Sequence, residues 1–103
     1  MKIQKLLDEQ NVIYIDNIKY CRRRSLLEID LLNNPIEQYV ACVLAFEGII
    51  ELSEEKEEVV HDCIDSILGI EEEKKGWYFR YSIQTEQRYI TLTTTQEAVV
   101  VDA

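Results

Sequence analysis

The sequence predicts a small α+β protein, in which an antiparallel sheet made of an N-terminal hairpin and C-terminal strands packs with three to four helices. Two patterns predict this class. Residues after Gly76 alternate between apolar and polar as strands do, whereas the segment 53–69 repeats its apolar residues at helical spacing. With 103 residues, 47% apolar and 30% charged, the chain has the size and composition of one packed domain over residues 1–103.

The first predicted elements are a short helix and a hairpin. Apolar residues in the segment 2–10 recur on one helical face, which predicts an amphipathic helix. Two β-prone runs follow at 12–15 and 18–21. Asp16 and Asn17 between them tolerate the positive φ of a tight turn, so these runs predict a β-hairpin.

The segment 25–33 fits two patterns. Ser25 with Glu28 forms a capping box, which is typical of a helix start. Residues 27–31 instead alternate between apolar and polar, as a strand with one buried face would. We interpret this segment as a helix, with a strand as the alternative.

Two longer helices are predicted in the middle of the chain. Asn34 before Pro35 supplies a capping residue and a first helical position, which predicts a buried helix to about Glu47. Ser53 begins the next helix and Gly69 ends it. The apolar face of that second helix consists of Val59, Val60, Cys63, Ile64, Ile67 and Leu68.

The last third of the chain predicts strands. After a charged connector over residues 71–75, the spacing of apolar residues changes to two, and strands follow at 77–84 and 88–94. Residues 98–101 predict a third strand. In the first strand, the predicted core residues are Trp77, Phe79, Tyr81 and Ile83, and they alternate with the outward residues Tyr78, Arg80, Ser82 and Gln84.

The formal net charge of −9 is unevenly distributed. Residues 36–75 carry three basic and twelve acidic side chains, so this segment alone accounts for a net −9. Such a surface repels phosphates and favours a basic protein partner over direct contact with nucleic acid. The charged N-terminus lacks a secretory pattern, no apolar run reaches membrane-spanning length, and the three cysteines are widely spaced, so we expect a cytoplasmic protein without a membrane contact.

Acidic residues on the predicted helix and its connector form the candidate partner-binding surface. As function, carboxylates that repeat once per helical turn would imitate nucleic acid towards a basic groove. The alternative is a solvated helix face that only keeps the protein soluble. The candidate residues are Glu54, Glu55, Glu58, Asp62, Asp65, Glu71, Glu72 and Glu73.

The sequence offers no catalytic or cofactor motif. His61 and Cys63 are zinc-ligand types, but two residues apart on a helix they point about 200° apart, and no CxxC pair completes a site. We therefore predict no metal, no cofactor and no enzyme. Arg22, Arg23 and Arg24, with Arg80, are candidates for anion binding, or they neutralise the protein's own acidic surface.

In size, acidity and lack of catalytic residues, the chain resembles small phage or plasmid inhibitors and immunity proteins. This resemblance implies an inhibitor that docks an acidic helix surface on a basic partner, such as a nuclease or another nucleic-acid enzyme. One alternative is a homodimeric adaptor or chaperone-like subunit that associates through apolar surfaces. Another is a small protein that binds a phosphate ligand through its arginines.

Overall fold

The protein is nearly all β. The computed structural model describes residues 3, 5, 7, 8, 14–34, 36, 39–56 and 64–102, and only four of these, Ile3, Lys5, Leu7 and Asp8, are helical. The predicted α+β class with three to four helices is therefore wrong. The strands are β1 (Tyr14–Cys21), β2 (Leu26–Leu32), β3 (Cys42–Glu47), β4 (Ile49–Lys56), β5 (Asp65–Lys75), β6 (Tyr78–Thr85), β7 (Arg88–Thr94) and β8 (Val99–Asp102).

The predicted N-terminal hairpin is wrong, because its second run and the turn residues belong to one strand. β1 passes through Asp16 and Asn17 without reversing and pairs antiparallel with β2. The register shifts between Ile15 and Asn17, as at a β-bulge. Asp16 therefore adds an extra residue to β1 rather than a turn. Val12 and Ile13 lie outside the described residues.

The helix interpretation of the segment 25–33 is also wrong. Leu27, Ile29 and Leu31 are buried, while Glu28 and Asp30 between them are half-buried, which is the alternation of a strand. β2 lies between β1 and β3 and forms a ladder with each. Pairing with a strand on each side, together with burial of the apolar residues, outweighs the local capping pattern.

The two predicted central helices are replaced by β3, β4 and β5. Asn34 Oδ1 accepts a hydrogen bond from the Ile36 N–H at 2.9 Å, so the capping contact forms, but the described residues beyond it lead into β3. The helix predicted from Ser53 to Gly69 begins inside β4 and ends inside β5. The predicted charged connector, 71–75, is the second half of β5. Residues 57–63 lie outside the described residues.

The three predicted C-terminal strands are confirmed as β6, β7 and β8. Tyr81 and Ile83 are buried as predicted, and Arg80 faces outward. Trp77 differs: it lies in the turn between β5 and β6, and 71% of its surface is exposed.

The eight strands form one antiparallel sheet in the order β4-β7-β6-β5-β1-β2-β3-β8. β3 continues into β4 through Gly48, and β7 continues into β8 through residues 95–98. β3 and β4 thus form one bent strand, and β7 and β8 form another. Because β3 pairs with β8 and β4 pairs with β7, the two bent strands run side by side and connect the two ends of the strand order. The sheet is therefore rolled, and its two halves face each other.

The core fills the space between these two halves. Phe46 of β3 and Tyr81 of β6 contact each other edge to face, with ring centroids 5.0 Å apart. Ile3 and Leu7 are buried in the same cluster. The opposite face of β4, β7, β6 and β5 remains on the outside of the roll and carries mostly polar side chains, which positions the site described next. Other fully buried members of the core are Ile29, Leu31, Leu44, Ile83, Ile90 and Leu92.

Candidate protein-binding face

The outer face of β4, β7, β6 and β5 is a polar surface arranged in rows. Because side chains alternate across a strand, residues paired in register share a face. We call this surface the outer trough. One row is Glu51, Thr93, Arg80 and Glu73, and the next is Ser53, Thr91, Ser82 and Glu71.

Two acidic rims flank the trough. Glu51 lies on β4 at one side, and Glu71 and Glu73 lie on β5 at the other, and all three are exposed. Glu55 continues the β4 rim, because it pairs with Tyr89 in the following row. Three strand spacings separate β4 from β5, so the rims lie about 14 Å apart. The carboxylates therefore form two separated rows.

The floor of the trough is hydroxyl-rich and contains one cation. Ser82, Thr91 and Thr93 are half-buried on β6 and β7, and Arg80 is exposed between them and the β5 rim. No described carboxylate forms an ion pair with Arg80; Glu73, its cross-strand neighbour, pairs instead with Lys75 at 2.5 Å. This pair raises the pKa of Lys75, through its hydrogen bond to Glu73. Among the described residues, the Arg80 guanidinium is therefore exposed on the trough floor without an ion-pair partner.

The trough is an open hollow with a volume of about 1020 Å³. Its lining includes residues of all four strands, from Glu51 and Ser53 on β4 to Glu71 and Glu73 on β5. The buried residues that also line it, such as Leu92 at 2% exposure, turn their side chains to the core, so only their backbones reach this side. The hollow therefore has a mixed polar and apolar lining that is open to solvent.

Aromatic side chains lie at both ends of the trough. Trp77 and Tyr78 follow β5 at one end and contact each other edge to face at 5.1 Å. Tyr89, in the row of Glu55, lies at the other end and is 42% exposed. Tryptophan and tyrosine are the residue types most often found as anchors in protein interfaces. Tyr78 and Arg80 are outward residues in the predicted strand pattern, whereas the same pattern predicts Trp77 in the core and the structure exposes it.

Three of the predicted partner-binding residues, Glu55, Glu71 and Glu73, lie on the rims. Glu54 and Asp65 instead form an ion-paired cluster with Arg88: Nη1 is 3.2 Å from Glu54 Oε1, and Nε is 3.2 Å from Asp65 Oδ2. Glu58 and Asp62 lie outside the described residues, as do His61 and Cys63 of the rejected zinc motif.

Asp65 is buried and fully engaged inside the protein. Oδ2 accepts a hydrogen bond from the Thr85 hydroxyl at 2.8 Å, and Oδ1 accepts one from the Gln87 N–H at 3.1 Å. The cluster joins the start of β5 to the β6–β7 turn and, through Arg88, to β4. Its role is to hold the strands that carry the two rims.

Glu72 also points away from the trough. It pairs in register with Tyr81, on the core side of β5, between the rim residues Glu71 and Glu73. The Ala98 N–H donates a hydrogen bond to Tyr81 Oη at 2.8 Å. Burial is the largest cause that raises the pKa of Tyr81, and its side-chain hydrogen bond with Glu72 raises this pKa further. The alternation along β5 therefore divides the predicted acidic run between the two faces.

The predicted anion-binding arginines lie on different elements. Arg22, Arg23 and Arg24 are exposed in the turn between β1 and β2, where Ser25 has a φ of 49°. Arg80 lies within β6 on the trough floor. Among the described residues, no three His, Cys, Asp or Glu side chains are grouped as metal ligands require.

The missed element of the site is Glu51, which lies before the predicted helix start at Ser53. Its signal was present in the sequence, since Glu51, Ser53 and Glu55 are alternate residues and a strand would place all three on one face.

No described helix is long and apolar enough to cross a bilayer. Comparisons of the chain with protein-family models, with curated proteins and with solved structures find no match.

Proposed function

We propose that this protein is a small acidic binding protein of the inhibitor or immunity type, which docks its outer trough on a basic protein partner. The observation that carries the proposal is the pair of acidic rims, Glu51 with Glu55 and Glu71 with Glu73, on either side of an open hollow. The acidic surface thus belongs to a sheet and not to the helix expected from the sequence. No catalytic step is required of this face.

The dimensions of the trough match a helix with basic flanks. An α-helix with side chains is about 10–12 Å across, which fits between rims about 14 Å apart. Lysine or arginine side chains on both sides of such a helix would reach the two rims. A carboxylate or amide on its underside would meet Arg80.

The same spacing supports mimicry of nucleic acid. Alternate residues of a strand lie about 6.7 Å apart, so each rim presents carboxylates in a regular row. The major groove of B-DNA is about 12 Å wide, carries phosphates on both sides and admits an α-helix. We propose that the partner is a nucleic-acid enzyme or another protein that inserts a basic helix into such a groove. Trp77 and Tyr78 would then pack beside that helix at the end of the trough.

The charge distribution supports fast, salt-dependent association. The chain carries a formal net charge of −9, and a surface of one sign raises the rate of encounter with an oppositely charged partner. We propose that the protein acts in the cytoplasm, where an exposed thiol such as that of Cys21 persists in its reduced form. Both features agree with an inhibitor of an intracellular enzyme.

The test is charge reversal on the rims. Immobilised wild-type protein is exposed to a lysate of the native host, the retained protein is identified, and its binding rates are measured for Glu51→Lys, Glu71→Lys and the double variant. The matched control is Glu47→Lys, which reverses an exposed carboxylate on β3 outside the trough. We expect the double variant to lower the association rate by at least about tenfold, while Glu47→Lys changes it little.

Ionic strength provides the second comparison. Raising salt from about 0.1 M to about 1 M shortens the Debye length from about 10 Å to about 3 Å. Binding through the rims should weaken strongly over this range, and the difference between wild type and the double variant should shrink. Equal binding by wild type and the rim variants at low salt would contradict the proposed function.

A further inference from the structure

The two edge strands of the sheet differ in how they are protected. β4 pairs with β7, and β8 pairs with β3; the pairings of the described residues give neither strand a second neighbour. β4 carries Glu51, Glu54, Glu55 and Lys56, and its register shifts next to Ile50. Charges and bulges are the devices by which edge strands avoid pairing with other chains. β4 is therefore a protected edge.

β8 has none of these devices along most of its length. Its sequence is Val99-Val100-Val101-Asp102, which combines high β-propensity with a single terminal charge. Val99 is 53% exposed and Val101 is 48% exposed, on the side of the sheet away from the core. An apolar edge strand with backbone groups open on one side is a template for another strand.

The neighbouring strand extends the apolar surface. Val99 pairs in register with Ala45, and Val101 pairs with Val43, so these four side chains share the outer face. Ala45 and Val43 are half-buried. The result is a continuous apolar strip, two residues wide, along the β8 edge. We call these four residues the edge strip.

We propose that β8 pairs antiparallel with β8 of a second copy of this chain, which makes the protein a two-fold symmetric dimer with a sheet continuous across the interface. Pairing centred on Val100 places Val99 opposite Val101 of the second copy, and Val101 opposite Val99. The two edge strips then form one apolar surface. The two Asp102 residues stand at opposite ends of the ladder.

The charge distribution favours this edge for contact between copies. Each chain carries a formal net charge of −9, and residues 36–75 account for the same value. Two copies repel each other wherever acidic surfaces meet, whereas the edge strip carries no charged side chain. The strip is also self-complementary, as a two-fold interface requires.

The dimer is independent of the proposed function. The outer trough is built from β4, β7, β6 and β5, and the interface is built from β8 and β3. Pairing through β8 leaves the carboxylate rims accessible on both copies. Salt acts in opposite directions on the two interactions: it screens the attraction at the trough, and it screens the repulsion between two acidic copies.

The test is the mass of the protein in solution, measured by sedimentation over a dilution series. We expect wild type to sediment as a dimer that dissociates on dilution and tightens as salt is raised. Val99→Lys and Val101→Lys should each weaken the dimer by at least about tenfold. Ile50→Lys is the matched control, since Ile50 is 50% exposed on the protected edge, and it should remain dimeric.

Amide hydrogen exchange gives a measurement that needs no variant. Amide protons of β8 that point away from β3 should be protected in concentrated wild-type protein and lose this protection on dilution. A monomeric wild type at every concentration would overturn the proposal, as would dimers of Val99→Lys and Val101→Lys as tight as wild type. Circular dichroism checks that each variant is folded. A loss of dimer in folded Ile50→Lys as large as that in Val99→Lys would also overturn the proposed dimer.

Discussion

Phe46 and Tyr81 meet edge to face in the core, with ring centroids 5.0 Å apart and an interplanar angle of 70°. Phe46 lies on β3 and Tyr81 on β6, strands that do not pair with each other. Both side chains are almost completely buried. Their contact therefore joins the two halves of the rolled sheet, and a change at either residue should affect the whole fold.

Phe46→Ala should destabilise the protein by about 3–5 kcal/mol, because it removes a buried ring and leaves a cavity against Tyr81. Urea unfolding followed by circular dichroism measures this loss. Trp77→Ala removes a larger ring that is 71% exposed, so it should change stability by no more than about 0.5 kcal/mol. Similar losses for the two variants would contradict the assignment of Phe46 to the core and Trp77 to the surface.

Tyr81→Phe should lower the free energy of unfolding by about 1–3 kcal/mol near neutral pH, because the Ala98 N–H loses its acceptor. The variant should also change the response to alkali. Burial raises the pKa of Tyr81 in the folded state above the ordinary value of 10.0. The unfolded chain therefore releases this proton first, and the stability that the neutral phenol contributes falls as pH rises above about 10.

The alkaline comparison separates the phenol from the other tyrosines. Unfolding is measured for wild type and Tyr81→Phe at several pH values from about 8 to about 11. Wild type should lose stability more steeply than Tyr81→Phe above about pH 10, so the two curves converge. Parallel curves would show that the phenol of Tyr81 has no raised pKa in the folded protein.

Asp65→Asn should destabilise the protein by about 3 kcal/mol, because it leaves the Arg88 guanidinium next to a neutral group in a mostly buried position. Glu54→Gln is the control. It removes the other ion pair of Arg88, but the Glu54 side chain is 35% exposed, so this change should cost no more than about 1 kcal/mol. Thermal unfolding of both variants tests the difference, and a larger loss for Glu54→Gln would contradict it.

Gly48→Ala should be more damaging than Gly76→Ala. Both glycines have positive φ, 66° and 64°, so each substitution carries a backbone cost of about 1 kcal/mol. At Gly48 the added Cβ would also overlap Thr95 Oγ1, whereas nothing lies within 4 Å of a Cβ at Gly76. The overlap occurs where β3 turns into β4, next to the hydrogen bond from the Thr95 N–H to the Gly48 carbonyl.

A second substitution tests whether the overlap with Thr95 Oγ1 causes the loss of stability in Gly48→Ala. Thr95→Ala in the Gly48→Ala background removes the overlapping hydroxyl and should recover stability, down to roughly the cost seen at Gly76. Chemical unfolding of the single and double variants, with Thr95→Ala alone as reference, gives the coupling between the two sites. An additive double variant would show that the corner tolerates a Cβ at residue 48.

The candidate site was predictable only in part. The concentration of negative charge in residues 36–75 is a property of the sequence, which predicts that Glu55, Glu71 and Glu73 belong to an acidic surface. Their division into two rims depends on pairing between β4 and β7 and between β5 and β6. Because side chains alternate between the two faces along β5, Glu72 points towards Tyr81 instead. A helix would instead place the acidic residues in a single row on one face.

By itself, the sequence determined the strands β6, β7 and β8, and the alternation within β6, because one face of these strands is buried and the other exposed. In such strands, apolar and polar residues alternate, and this alternation can be recognised directly in the sequence. It also determined the acidic character of the surface. Gly76 could be recognised as the start of the strand region, and it forms the turn between β5 and β6 with a φ of 64°.

Only the tertiary structure decided that β2 to β5 are strands. Capping patterns and apolar spacing in the segments 25–33 and 53–69 are local signals, each worth about 1 kcal/mol or less. The ladders that override them include pairs far apart in the chain, such as Leu52 with Leu92, and they turn the apolar side chains of these strands towards the core of the rolled sheet. Burial of many side chains at once outweighs a local preference, and no short window of the sequence contains both halves of the β4–β7 ladder.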